Sequence, residues 1–147
     1  MANYQRILLA TELFAADSKT ARQAIELAGR FGAELGVIHV VEPPPLGDSA
    51  YGVIMPFDFD LTRQMLEGAQ QRLAELAGQW GIPQARQWVE VGSPKAEIVR
   101  VAAEQNMDLI VIGTHGRHGF GVLLGSTAAS VVHHAGCDVL TVRLRDA

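Results

Sequence analysis

Two glycine clusters in the last third of the chain hold the residues best suited to chemistry. Gly113-Thr114-His115-Gly116 is followed, after eight intervening residues, by Gly125-Ser126-Thr127. The first glycine closes the apolar run Asp108 to Gly113 (DLIVIG), and the last opens a helix expected from about Ser126 to Ala135. Glycine at such a strand-to-helix junction permits positive φ and lets backbone amides come close to a ligand. The helix N-terminus adds unpaired N–H groups and a partial positive charge worth roughly 0.3–2 kcal/mol toward an anion. With hydroxyl donors from Ser126 and Thr127, the group is suited to a phosphate. A plain flexible turn with Ser126 as a helix cap is the competing reading.

Two other phosphate motifs do not fit. Walker A needs a lysine before its Ser/Thr, and none precedes Ser126. A dinucleotide fingerprint belongs after the first strand, where Thr11-Glu12-Leu13-Phe14 contains no glycine. Arg117 follows the second glycine and has the planar donor geometry for a phosphate, although arginine in a loop is commonly just solvated. His115, His118, His133 and His134 raise the question of zinc. No two of them stand at i, i+4 as the histidine pair with a carboxylate of helical zinc motifs does, and adjacent His133 and His134 point to different faces of a helix, so no metal is expected. His39 falls in an apolar run and reads as a satisfied core histidine. Cys137 has no cationic neighbour in sequence and reads as an inert thiol.

Apolar periodicity supplies the elements that would position these residues. Ile7 to Thr11, Leu35 to Val41, Gln87 to Val91, Asp108 to Gly113 and Asp138 to Leu144 read as strands. Helical spacing falls between them. The first helix has an N-cap at Asp17 or Ser18 and a C-cap at Gly32; the second is marked by Met65 to Trp80. The third opens with Ser93 as N-cap and Pro94 at the first helical position, and runs to about Asn106. Single helices between strands require parallel pairing with right-handed crossovers and helices on both faces. An open sheet of this kind binds ligands at the carboxyl ends of the strands beside its topological switch, with orders 3-2-1-4-5 and 2-1-3-4-5 both available.

The same residues resemble the universal stress proteins over nearly the whole chain. The likeness runs through Arg6 to Glu12, Ile38 to Val41, Asp108 to Arg117, Leu123 to Thr127 and Cys137 to Arg143. The nucleotide-binding branch of that family carries Gly-x2-Gly-x9-Gly-Ser/Thr, matched here in residue type with a spacer of eight. The resemblance implies an α/β fold, an open five-stranded parallel sheet ordered 3-2-1-4-5, Rossmann-like and akin to the adenine nucleotide alpha hydrolases. It implies an adenine nucleotide (ATP, ADP or AMP) across the first and fourth strands. By position, Ala10, Thr11, Glu12 and Val40 would line the nucleoside pocket. Gly113, Gly116, Gly125, Ser126 and Thr127 would hold ribose and phosphates, with Ile112, Thr114, His115 and Arg117 completing the set. A divalent ion can accompany the phosphates. Glu12 stands where the family usually has aspartate, which moves the carboxylate one bond outward, and the shorter loop bears on how many phosphates fit.

Length and composition narrow the remaining classes. At 147 residues the chain suits one domain, and 48% hydrophobic with 19% charged residues fits neither disorder nor a coiled coil. A net charge of -4 argues against nucleic-acid binding through phosphates. No run nears the roughly 18 apolar residues of a membrane span, and the N-terminal run is too short for a signal peptide, so a cytoplasmic protein is expected. The single Cys137 suits a reducing compartment. With no Walker lysine and no carboxylate in the glycine loop to orient a water, a nucleotide-binding regulatory module with an unidentified protein partner is favoured. The alternatives are a phosphoryl-transfer enzyme using His115 or His118 with Glu12 holding a divalent ion, and a ligand-free dimeric scaffold. Residues 42–60, rich in proline, are expected to form a flap over the nucleoside or meet a partner subunit. The apolar last strand is expected to form a homodimer edge.

Overall fold

Runs rich in apolar residues become strands in this chain, and the central ones are buried on both faces. In the computed structural model, which describes residues 3–13, 18–43, 59–114 and 125–144, they form β1 (Arg6–Ala10), β2 (Glu34–Val41), β3 (Gln87–Val91), β4 (Leu109–Gly113) and β5 (Asp138–Val142). The helices between them are α1 (Ser18–Phe31), α2 (Phe59–Gln79), α3 (Pro94–Glu104) and α4 (Ser126–His134). All strands run parallel in one sheet ordered β3-β2-β1-β4-β5, so the first of the two available orders is the one adopted. β1 and β4, paired from Ile7–Leu109 to Leu9–Val111, are the centre.

Alternation along the strands divides the core. Ile7, Leu9, Val37 and Val111 face α1 and α2, meeting Ala21, Ala24, Leu73 and Ala77. Leu8, Ile38, Ile110 and Ile112 face α3 and α4, meeting Ile98, Val101, Ala128 and Val131. Each fully buried Leu, Ile or Val contributes about 1.5–3 kcal/mol of transfer free energy. The alanine stripe of α1 keeps that helix close to the sheet, and Gly32 ends it with φ +63°, as its C-cap position requires.

Several boundaries differ from the sequence expectation. Helix α2 begins at Phe59, just inside the stretch 42–60 expected as a loop and ahead of Met65, the first of its marking residues. Ser93 is the N-cap of α3, with Pro94 just inside, but its hydroxyl makes no capping bond; its carbonyl takes the amides of Ala96 and Glu97 instead. A 3-10 turn at Gln84–Arg86, closed by Arg86 N–H on the Pro83 carbonyl at 2.9 Å, has no periodic signature to reveal it. Asp108 lies outside β4, its carboxylate accepting the Gln5 and Arg6 amides at 2.9–3.2 Å and so pinning the start of β1. Strand β5 stops at Val142 because its partner stops at Gly113. Of the flap expected over residues 42–60, residues 44–58 lie outside those described.

Candidate functional site

The carboxyl ends of β1 and β4 lie side by side, and the chain leaves β1 through a tightly bonded turn. Thr11 is 5% exposed; its amide donates to the Ile38 carbonyl at 3.0 Å and its Oγ1 accepts the Leu13 amide at 3.0 Å. Its carbonyl receives His39 Nδ1 at 2.8 Å. Between these fixed points Glu12 is exposed to solvent, and Leu13 takes the left-handed conformation with φ +66°. Ala10, Val40 and Ile112 belong to one buried cluster with Ala128 on the α3/α4 face. The apolar residues assigned to the nucleoside pocket therefore come together, next to the solvent-facing Glu12.

The glycine motif is joined through Thr114. Its amide donates to the Val142 carbonyl at 2.9 Å, its Oγ1 accepts the Leu144 amide at 3.3 Å, and its carbonyl accepts the Gly125 amide. Thr114 thus ties the start of α4 to the end of β5. Gly125 is the N-cap of α4, with φ -57° and ψ 150°. Ser126 stands at the first helical position and is exposed, so the N-cap position expected of it falls to Gly125. The amides of Ser126, Thr127 and Ala128 precede the first i→i−4 bond, which Ala129 makes to Gly125 at 2.8 Å, and they are the donors a bound anion would meet.

Positive φ, expected of the glycines in this motif, occurs at neither Gly113 nor Gly125. Gly113 is needed for packing instead. A Cβ there would sit 2.7 Å from Leu144 Cδ1 and 3.3 Å from Thr20 Oγ1. Gly113→Ala is expected to destabilise the fold by about 1–3 kcal/mol through overpacking. In a Leu144→Ala background that cost should fall by half or more, since the two sites share a contact. Urea unfolding of the four proteins measures this; an equal cost in both backgrounds would place the clash elsewhere.

His115, Gly116, Arg117 and His118 lie outside the described residues. Among the described residues no group of three or more His, Cys, Asp or Glu side chains could hold a metal ion. His133 and His134 are exposed on α4, their rings edge to face at 4.9 Å, and His134 Nδ1 bonds back to the Ser130 carbonyl at 2.9 Å. His39 is hydrogen-bonded, as expected, but half-buried. Burial raises the Cys137 thiol above its ordinary range, and the carboxylates of Asp138 and Asp108 add to this, which fits an inert thiol. Tyr4 hydroxyl donates to Asp138 Oδ2 at 2.7 Å, a bond that raises its pKa.

Comparison with known proteins decides the family. The profile described as the universal stress protein family matches residues 3–143. This chain belongs to the universal stress protein family. Universal stress protein A homolog 2 of Coxiella burnetii is 41% identical over 146 residues, covering 99% of both chains. UspA of Lactobacillus plantarum superimposes with a TM-score of 0.77 at 25% identity, over 97% of this chain and 100% of that one. A universal stress protein solved in complex with cAMP superimposes with a TM-score of 0.62 at 23% identity, over 98% and 100% of the two chains, a likeness of fold.

Two features of this universal stress protein site go beyond the sequence reading. Thr20 sits in the alanine stripe of α1, fully buried beside Gly113, its hydroxyl without a hydrogen-bond partner among the described residues. A lone threonine among helix-spaced alanines is the one signal that points to it. Leu13 in the left-handed region carries none, because leucine seldom adopts it.

Proposed function

We propose that this universal stress protein binds an adenine nucleotide (ATP, ADP or AMP) across the carboxyl ends of β1 and β4. It acts there as a regulatory module, without efficient turnover, in the cytoplasm. The observation that carries this reading is the N-terminal turn of α4, where the Ser126 to Ala128 amides precede the first i→i−4 bond, beside the apolar cluster of Ala10, Val40 and Ile112. An anion-binding helix end next to an apolar floor suits a phosphorylated nucleoside. The fold shared with a cAMP-bound universal stress protein supports the same ligand class. Thr11 and Glu12 would border the nucleoside, with Gly113, Thr114, His115, Gly116, Arg117, Gly125, Ser126 and Thr127 around ribose and phosphates. Glu12 could also take part in holding a divalent ion with those phosphates. An unidentified protein partner would read the bound state. Phosphate release under saturating ATP tests the regulatory role. Turnover near background is expected, whereas about 1 per second or faster would make the protein an enzyme.

The homodimer through β5 belongs to the same proposal. Among the described residues only β4 pairs with β5, and Val139, Leu140 and Thr141 are half-buried, leaving an edge with little charge at its centre. The register identifies its outward groups. Thr114 N–H donates to the Val142 carbonyl, so Val142 turns its backbone toward β4 and Thr141 turns its own outward. Thr141→Pro would therefore block edge pairing with little damage to the sheet. Light scattering should show the wild type at twice the chain mass and the variant as a monomer. A wild type at single-chain mass at tens of micromolar would remove the dimer.

A further inference from the structure

We propose that His39 is a positioning residue for the nucleoside half of the site, its imidazole fixing the Thr11–Leu13 turn that presents Glu12; the inference rests on the nucleotide-binding reading above. The pairing of β1 with β2 ends at Ala10–Ile38, and the Thr11 amide extends it by one bond to the Ile38 carbonyl. Beyond that point a side chain holds the two strands together. His39 Nδ1 lies 2.8 Å from the Thr11 carbonyl. A carbonyl only accepts, so Nδ1 carries the proton and donates, in the neutral ring and in the imidazolium alike.

The turn it holds is one the backbone would not choose alone. Leu13 adopts φ +66°, a conformation costing an ordinary L-residue roughly 1–2 kcal/mol. Its amide is held by Thr11 Oγ1 at 3.0 Å, and Thr11 is in turn held through its amide and its carbonyl. Strained residues of this kind persist where their surroundings over-determine them. Glu12 lies between the two held residues and is exposed. The backbone that carries it is therefore held by a chain of bonds that begins on β2. This extends the view of His39 as a core histidine: it is half-buried, and its bond reaches the rim where the nucleoside would sit.

Side-chain geometry supplies the test. Asparagine places an amide nitrogen on Cγ, the same bond count as Nδ1, whereas leucine copies its shape without a donor and glutamine carries its nitrogen one carbon further out. His39→Asn is expected to keep ATP affinity within about threefold, and His39→Leu and His39→Gln to lose roughly tenfold, as for one buried hydrogen bond. Calorimetry with ATP and with inorganic triphosphate, on variants shown to be folded by circular dichroism, reads the difference. Triphosphate affinity should be the same in all four proteins, since the phosphates meet α4 rather than this turn. Faster amide exchange at Leu13 in His39→Leu and His39→Gln should accompany the loss. Equal ATP affinity in wild type, asparagine, leucine and glutamine forms would overturn the inference alone, as would equal losses for ATP and triphosphate. If His39→Leu does not fold, the asparagine–glutamine contrast decides by the same criteria. A wild type that binds no adenine nucleotide would overturn the underlying reading first, and this inference with it.

Discussion

Gly36→Val is expected to lower stability by about 3 kcal/mol, the upper part of the range for overpacking. Gly36 lies in β2, paired with Leu8 of β1, and the indole of Trp88 on β3 covers its α-carbon. A Cβ built there would be 2.5 Å from Trp88 Cζ3 and 3.2 Å from the Arg86 carbonyl oxygen. The ring is large and packs against the α3/α4 core, and the carbonyl belongs to the backbone, so neither yields cheaply. For a chain of this size the midpoint of thermal unfolding should fall by about 6–12 °C. Adding Trp88→Ala should make the double variant less unstable than the sum of the two single costs. Because Gly36 lies toward the amino end of β2, away from Gly125, the folded fraction should bind nucleotide as the wild type does. A midpoint within about 2 °C of wild type, about half a kcal/mol, would show that the indole moves aside.

Gly125→Val should act in the opposite way, removing nucleotide binding and leaving the fold. The φ of -57° and ψ of 150° at this N-cap are open to any L-residue, so valine strains no backbone. Replacing glycine by valine at an N-cap costs stability of about 1 kcal/mol or less. The branched side chain would stand at the mouth of the first turn of α4, where the amides of Ser126 to Ala128 would meet the proposed phosphates. A loss of at least about 100-fold in ATP affinity, roughly 2.7 kcal/mol, is expected by calorimetry. Unchanged affinity would show that phosphates do not approach this turn. Set beside Gly113→Ala, the expected loss would separate two glycines of one motif, Gly113 making room for Leu144 and Gly125 for a ligand.

These two glycines also mark how far residue types speak for themselves. Strands β1 and β4 are legible in the sequence because each is buried on both faces, which makes Ile7 to Ala10 and Leu109 to Ile112 uninterrupted apolar runs. Helix α1 is legible from the Ala21, Ala24 and Ala28 spacing and the glycine that ends it. The start of α2 is hidden by prolines that suggest a loop, and the 3-10 turn before β3 is too short to have a period. In the site, residue types are legible and their reasons are not. Glycine there suggests conformational freedom, yet the left-handed residue is Leu13, held by Thr11, and Gly113 answers to the side chain of Leu144, far along the chain. The Gly113–Leu144 dependence lies between distant segments, and local pattern does not carry it. His39 is a third case, since only the fold brings its ring to the Thr11 carbonyl.

Adenine-nucleotide binding is tested most directly by native mass spectrometry. The protein is desalted without denaturation and measured as purified, then again after addition of millimolar ATP. A mass excess of one adenine nucleotide per chain is predicted in the second spectrum, with any nucleotide carried through purification belonging to the same class. Bare chain mass in both spectra, with no saturable adduct from ATP, ADP or AMP, would contradict it.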